Sequence, residues 1–160
     1  MNKVEQIISE LENELEIGPE QHPFFEIKQS NIRGAGMGLF SRRRWSKGEL
    51  LCEYTGTFWK TKQAIKLPDK SYLMRLGVQA YVDAKEHKEV VARYINDCRN
   101  SFLYNVEFEK NPSERKAKVI AIQQIEIGDE IYVDYGKMYW VGQNPGVLFF
   151  KKRNKSTPSE

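Results

Sequence analysis

Gly128-Asp129-Glu130-Ile131-Tyr132-Val133-Asp134-Tyr135-Gly136 is the stretch from which the rest of the chain is best read. Ile127-Gly128-Asp129-Glu130 sets a turn glycine between apolar segments, as a tight connection before a strand requires, and Glu130 to Val133 has the short apolar character of a strand. Lys47-Gly48-Glu49 repeats the device ahead of another strand-like run. Working outward, such runs cover Phe24 to Lys28, Leu50 to Phe58, Tyr72 to Leu76, Gln79 to Val82, Val106 to Glu109 and Val119 to Ile122. Lys85 to Tyr94 reads as a short helix. The predicted class is mainly β with short helices.

The ends differ from this middle. Val4, Ile7, Ile8, Leu11 and Leu15 recur at three and four residues, the period of an amphipathic helix, which Gly18-Pro19 ends. Residues 1–22 therefore read as a helical packing extension, 24–140 as the main domain, and 141–160 as a C-terminal segment whose Gly, Pro, Lys and Ser content predicts a flexible basic tail. A length of 160 residues suits one domain of ordinary size and leaves no room for two catalytic ones. Forty per cent hydrophobic and 29% charged residues argue against wholesale disorder. No run approaches a membrane span, and the acidic N-terminus is unlike a secretory signal, so a soluble intracellular protein is expected.

A net charge of +3 is too small to argue for nucleic-acid binding, although Arg42-Arg43-Arg44 and Lys151-Lys152-Arg153 form local basic runs. Two cysteines, Cys52 and Cys98, can neither frame a disulfide scaffold nor by themselves complete a four-ligand zinc site. No metal site is predicted. Gly34, Gly36 and Gly38 alternate before Leu39-Phe40, so the backbone there can approach a ligand or take positive φ, but the spacing is not that of the dinucleotide fingerprint.

Six segments in order carry more information than any one of them: Gly36-Met37-Gly38-Leu39-Phe40, Glu53-Tyr54-Thr55-Gly56, Ser71-Tyr72-Leu73, Tyr81-Val82-Asp83-Ala84, Arg93-Tyr94-Ile95-Asn96-Asp97-Cys98 and Gly128 to Gly136. Their order and spacing resemble the SET domain, the fold of most protein lysine methyltransferases that use S-adenosylmethionine. The resemblance covers about residues 24–140. It implies several short curved β-sheets and a knot-like C-terminal threading, in which the segment near Tyr135 passes through the loop near Asn96.

By the same resemblance, the backbone of Gly36, Met37 and Gly38 cradles the methionine part of the cofactor, with Tyr72 also in contact. Asn96 holds its amino group or ribose, and Asp97 offers its backbone to the adenine. Tyr135 is the catalytic tyrosine and Tyr54 a second one at the methyl-transfer channel. Tyr139 and Trp140 close over cofactor and channel. Phe108, in Asn105-Val106-Glu107-Phe108, stands at the channel base, where an aromatic without a hydroxyl implies di- or trimethylation. Asp97 departs from the family, which has histidine there, and an insertion after Asn96 displaces the later asparagine to Asn105. The cysteine-rich zinc segment that follows many SET domains is missing.

The chemistry agrees. Methyl transfer from a sulfonium to an amine is an in-line displacement in which alignment does most of the work. A lysine with an ordinary pKa near 10.4 must first lose its proton, and a dry tyrosine-lined channel beside a sulfonium favours the neutral amine. The expected partner is a lysine-bearing protein, a histone tail by default, in the nucleus or cytoplasm with the nucleus favoured. Two other readings stand beside this one. An inactive SET-like module would bind cofactor or lysine peptides without turnover. A small β-rich nucleic-acid-binding domain would set aromatics against bases and the basic loop against phosphates, which requires the aromatics to be exposed.

Overall fold

The structure, a computed structural model, describes residues 22–137 and Tyr139. The predicted helix Val4–Leu15, Trp140 and the segment 141–160 lie outside them. Strands β1 (Phe25–Gln29) and β2 (Met37–Ser41) pair antiparallel from Phe25↔Ser41 to Gln29↔Met37. The loop between them returns through Gly34 and Gly36 at φ 80° and 75°, a region that glycine enters without steric cost, and closes with Ser30 N–H donating to the Gly36 carbonyl at 2.8 Å.

Two three-stranded antiparallel sheets follow. β3 (Leu50–Tyr54), β8 (Lys116–Ala121) and β7 (Val106–Asn111) lie in the order β3-β8-β7. β4 (Thr57–Trp59), β6 (Ala80–Asp83) and β5 (Leu73–Gly77) lie in the order β4-β6-β5. Along β8, Ala117, Val119 and Ala121 are buried while the residues between them are not, the period of two expected of a strand with one face on the core. α1 (Thr61–Ala64) is a single helical turn, and a 3-10 turn covers Val91–Tyr94.

Phe25, Leu39, Val82, Ile95, Val106, Val119, Ile125, Ile131 and Val133 form the centre of the core, each almost wholly buried. Every such side chain contributes about 1.5–3 kcal/mol through removal of apolar surface from water. Isolated bridges join further segments: Phe40 to Glu130 and Trp45 to Ile125 antiparallel, and Asn96 to Tyr132 parallel. The last, with Val133 N–H donating to the Asn96 carbonyl at 3.0 Å, lays the chain before Tyr135 alongside the segment around Asn96, the adjacency that a crossing there requires.

The architecture is thus mainly β in small antiparallel sheets, as expected, with differences in detail. The run Leu50–Phe58 is two strands in two different sheets, broken at Thr55-Gly56. Glu130–Val133 makes bridges to two different neighbours and no continuous ladder. Of the helix expected over Lys85–Tyr94 only the 3-10 turn exists, because Lys85–Glu89 forms turns around the Ala84 and His87 carbonyls. Met37–Ser41, read only as a glycine-rich approach, is a full strand.

Candidate active site

Five aromatic side chains from four parts of the chain meet beside the Asn96–Tyr132 bridge. Tyr54 ends β3 and is 6% exposed. Its ring meets that of Phe108, on β7, edge to face at 5.8 Å, and its hydroxyl donates to the Tyr72 carbonyl at 2.6 Å. Tyr72 stands just before β5, its ring under the Arg93 guanidinium at 4.1 Å. Tyr135 packs edge-on against Tyr139 at 4.6 Å, and Tyr139 reaches back to the Ser71 carbonyl at 3.3 Å. The Tyr135 hydroxyl donates to the Ile95 carbonyl.

Three of these phenols, Tyr54, Tyr135 and Tyr139, are held neutral. Burial is the largest cause for Tyr54, Tyr135 and Tyr139, and each is pushed above its ordinary value, with neighbouring carboxylates adding to the effect. Asp83 acts on Tyr54, Asp97 on Tyr135 and Tyr139, and Asp69 on Tyr139, while Arg93 opposes the shift at Tyr54. Both Tyr54 and Tyr135 spend their hydrogen on a backbone carbonyl. A phenol oxygen whose hydrogen is donated acts toward a further partner as an acceptor.

Next to this cluster lies a second arrangement. Asn96 Nδ2 donates to the Met37 carbonyl at 2.9 Å and faces Glu130 Oε1 at 3.5 Å. With the amide hydrogens so directed, Asn96 Oδ1 is left as an acceptor, next to the second lone pair of the Met37 carbonyl. Met37 itself is 47% exposed at the start of β2, so this pair of acceptors borders solvent. A pair of acceptors of this kind suits an ammonium group.

The model of the SET domain family matches residues 36–136. The chain belongs to the SET domain family. Members of this family are generally protein lysine methyltransferases and typically use S-adenosylmethionine. The match spans the observed elements from the approach to β2 through Tyr135 and Gly136, whereas β1, which completes the hairpin with β2, precedes it.

Of the residues predicted from this SET domain's sequence, Tyr54, Tyr72, Phe108, Tyr135 and Tyr139 form one connected cluster, and Gly36, Met37, Gly38 and Asn96 form the adjoining one. Asp97 belongs to the first. Its side chain is buried and turned toward the Tyr135 backbone, accepting from Tyr135 N–H at 3.1 Å. Asn105, proposed as the displaced asparagine, is buried and bridges the Tyr135 segment twice: Nδ2 donates to the Glu130 carbonyl at 2.9 Å and Oδ1 accepts from Tyr132 N–H at 2.8 Å.

Two participants were not singled out from sequence. Glu130, 5% exposed, accepts from Ser30 Oγ at 2.6 Å, Asn31 N–H at 2.8 Å and Tyr132 hydroxyl at 2.8 Å while lying against Gly38. A Cβ on Gly38 would stand 2.3 Å from Glu130 Oε1, so this glycine is needed for close approach. Arg93 donates to the Ala84 and Lys85 carbonyls at 3.1 and 3.2 Å while it covers Tyr72. Both lie within quoted segments, but their partners are up to 100 residues away in sequence.

Proposed function

We propose that the chain is an S-adenosylmethionine-dependent protein lysine N-methyltransferase, with Tyr135 and Tyr54 at the methyl-transfer channel. The observation that carries this reading is the pair of buried neutral phenols whose hydrogens are already committed to the Ile95 and Tyr72 carbonyls. Each can accept an N–H from a neutral amine, and two such contacts turn the amine's own lone pair in a fixed direction. Neither phenol is suited to act as a base near neutral pH, since both are held protonated.

The residues fit the cofactor. Asn96 Oδ1 and the Met37 carbonyl would receive its α-ammonium, and Tyr72 and Tyr139 would flank its methionine arm. When bound, S-adenosylmethionine supplies a methyl group on a sulfonium, which leaves as the neutral thioether. Phe108 and Tyr54 wall the far side of the channel and keep water out. Aromatic faces also attract a methylammonium by about 0.5–2 kcal/mol. Asp69, Asp83 and Asp97 bias the neighbourhood toward a cationic side chain, which supports lysine in a basic protein segment as substrate; a histone tail is the default choice, with nuclear residence following from it.

Because Phe108 brings no hydroxyl to Tyr54, the channel leaves room for a methylated amine, and di- or trimethylation is the proposed product. The inward packing of Tyr54, Tyr72, Phe108 and Tyr135 favours this reading over base stacking on a nucleic-acid platform. Calorimetric titration with S-adenosylmethionine, followed by mass spectrometry of methyl transfer to a panel of basic proteins, tests it. Cofactor binding without transfer to any lysine would leave the inactive-module reading in its place.

A further inference from the structure

We infer that Asp97 and Tyr104 form a strut that positions Tyr135 for transfer, an inference that rests on the methyltransferase reading of the same site. Tyr135 is held at both ends by one short stretch of chain. Its hydroxyl meets the Ile95 carbonyl, and its backbone N–H meets Asp97 Oδ2 at 3.1 Å. Asn96, between them, accepts from Val133 N–H and reaches Met37. Any tilt of residues 95–97 would therefore move the phenol and the Met37–Asn96 acceptor pair together.

What fixes that stretch is the other oxygen of Asp97. Oδ1 accepts from the Tyr104 hydroxyl at 2.7 Å and from Arg99 N–H at 2.7 Å. Arg99 has φ 54°, a left-handed conformation that non-glycine residues adopt only when the surroundings enforce it. Burial and the Asp97 carboxylate keep the Tyr104 phenol protonated, so it remains a donor. Tyr104 is held in turn by its own carbonyl, which accepts from Gln123 Nε2 at 2.8 Å, and by Asn105, which is bonded twice to the Tyr135 segment. The chain from Cys98 to Tyr104 therefore works as a brace: it supplies two donors to the carboxylate that carries Tyr135.

A carboxylate at position 97 suits this role. A carboxylate accepts from three donors at once, whereas a neutral imidazole has one acceptor nitrogen. Asp97 and the insertion that provides Arg99 and Tyr104 are one device.

The test compares wild type with Asp97→Asn, Tyr104→Phe, the double variant and Tyr135→Phe. In Asp97→Asn one oxygen becomes a donor, so either Tyr135 N–H or the Arg99 and Tyr104 donors lose their acceptor. The expected result is a fall in kcat on the order of 10²-fold, the scale of a small misplacement of a reacting group, with S-adenosylmethionine Kd changed less than about threefold. Tyr104→Phe should lower kcat in the same direction by a smaller factor, and the double variant should be no worse than Asp97→Asn, because both act through one carboxylate. Independently of turnover, the Tyr135 amide proton should move upfield in Asp97→Asn and, to a lesser extent, in Tyr104→Phe. Variants that lose thermal stability but retain wild-type kcat and the Tyr135 amide shift would overturn the strut and leave the methyltransferase reading standing. Should Asp97→Asn fail to fold, Tyr104→Phe decides by itself on the same two readouts. A Tyr135→Phe variant with wild-type kcat, or a wild type that does not bind S-adenosylmethionine, would overturn the underlying reading, and the amide shifts would still report on the strut.

Discussion

At the scale of single residues the site turns on which hydroxyl hydrogens are already used. Tyr135 and Tyr54 donate to backbone carbonyls, so on the proposed reading replacing either by phenylalanine removes an acceptor for the amine and little packing. Tyr135→Phe should leave thermal stability and cofactor affinity near wild type and reduce kcat by ~10²–10⁴-fold, the usual range for one positioned group. A steady-state comparison at saturating cofactor decides it, and undiminished turnover would remove Tyr135 from the chemistry. Phe108→Tyr adds a hydroxyl beside the Tyr54 ring, where it can bind the amine or a water and crowd a second methyl group. The product should shift toward monomethyl-lysine in long incubations read by mass spectrometry. Wild-type enzyme that itself stops at one methyl would make Phe108 ordinary core. The aromatic members of this site were legible in the sequence because each sits in its own ordered segment. Glu130 was not: its meaning comes from Ser30, Asn31 and Gly38, which only the folded chain brings beneath it.

At the scale of elements, what positions the site is the break between β3 and β4. Tyr54 closes β3 and Thr57 opens β4 in a different sheet, so the chain must change direction within Thr55-Gly56. It does so against β6: a Cβ on Gly56 would fall 2.2 Å from the Asp83 carbonyl oxygen and 3.0 Å from Ala84 N. Backbone cannot yield as a flexible side chain would. Gly56→Ala should cost at least the ~1–3 kcal/mol of an overpacked core, and urea melting should show a clearly lower midpoint with unchanged slope. An unaltered midpoint would mean that β4 can slide on β6. The sequence pattern read Leu50–Phe58 as one strand because apolar and β-favouring residues continue across the break, and alternation does not reveal a change of sheet. β2 was missed for the opposite reason. Gly36 and Gly38 lower strand propensity, yet Gly38 belongs to the ladder because Glu130 needs the space a side chain would fill. The 3-10 turn at Val91–Tyr94 kept only the end of a predicted helix, since Lys85–Glu89 is drawn into turns and Arg93 is held across the Ala84 and Lys85 carbonyls.

At the scale of the whole molecule, the tyrosine cluster lies where the two three-stranded sheets and the Tyr135 segment converge, and the charges it meets come from different elements. Asp69 precedes β5, Asp83 ends β6 and Asp97 follows the 3-10 turn. All three favour a cation, so the neighbourhood attracts a lysine and at the same time resists its deprotonation. The opposing contribution must come from the sulfonium and from bulk pH. For free substrate near its ordinary pKa of about 10.4, kcat/KM should rise about tenfold per pH unit from pH 7 to 9, since only the neutral amine reacts. The sign follows from the direction of the titrations: the productive form of lysine grows with pH, while the Tyr54, Tyr135 and Tyr139 phenols, all raised, remain protonated over the same interval and impose no falling limb. Tyr135→Phe should lower the whole profile without changing its slope. A profile that is flat from pH 7 would overturn the need for a neutral amine, whereas one that turns down below pH 9 in wild type but not in the phenylalanine variant would show that an ionising phenol governs the rate, and the assignment of both tyrosines as neutral acceptors would have to be abandoned.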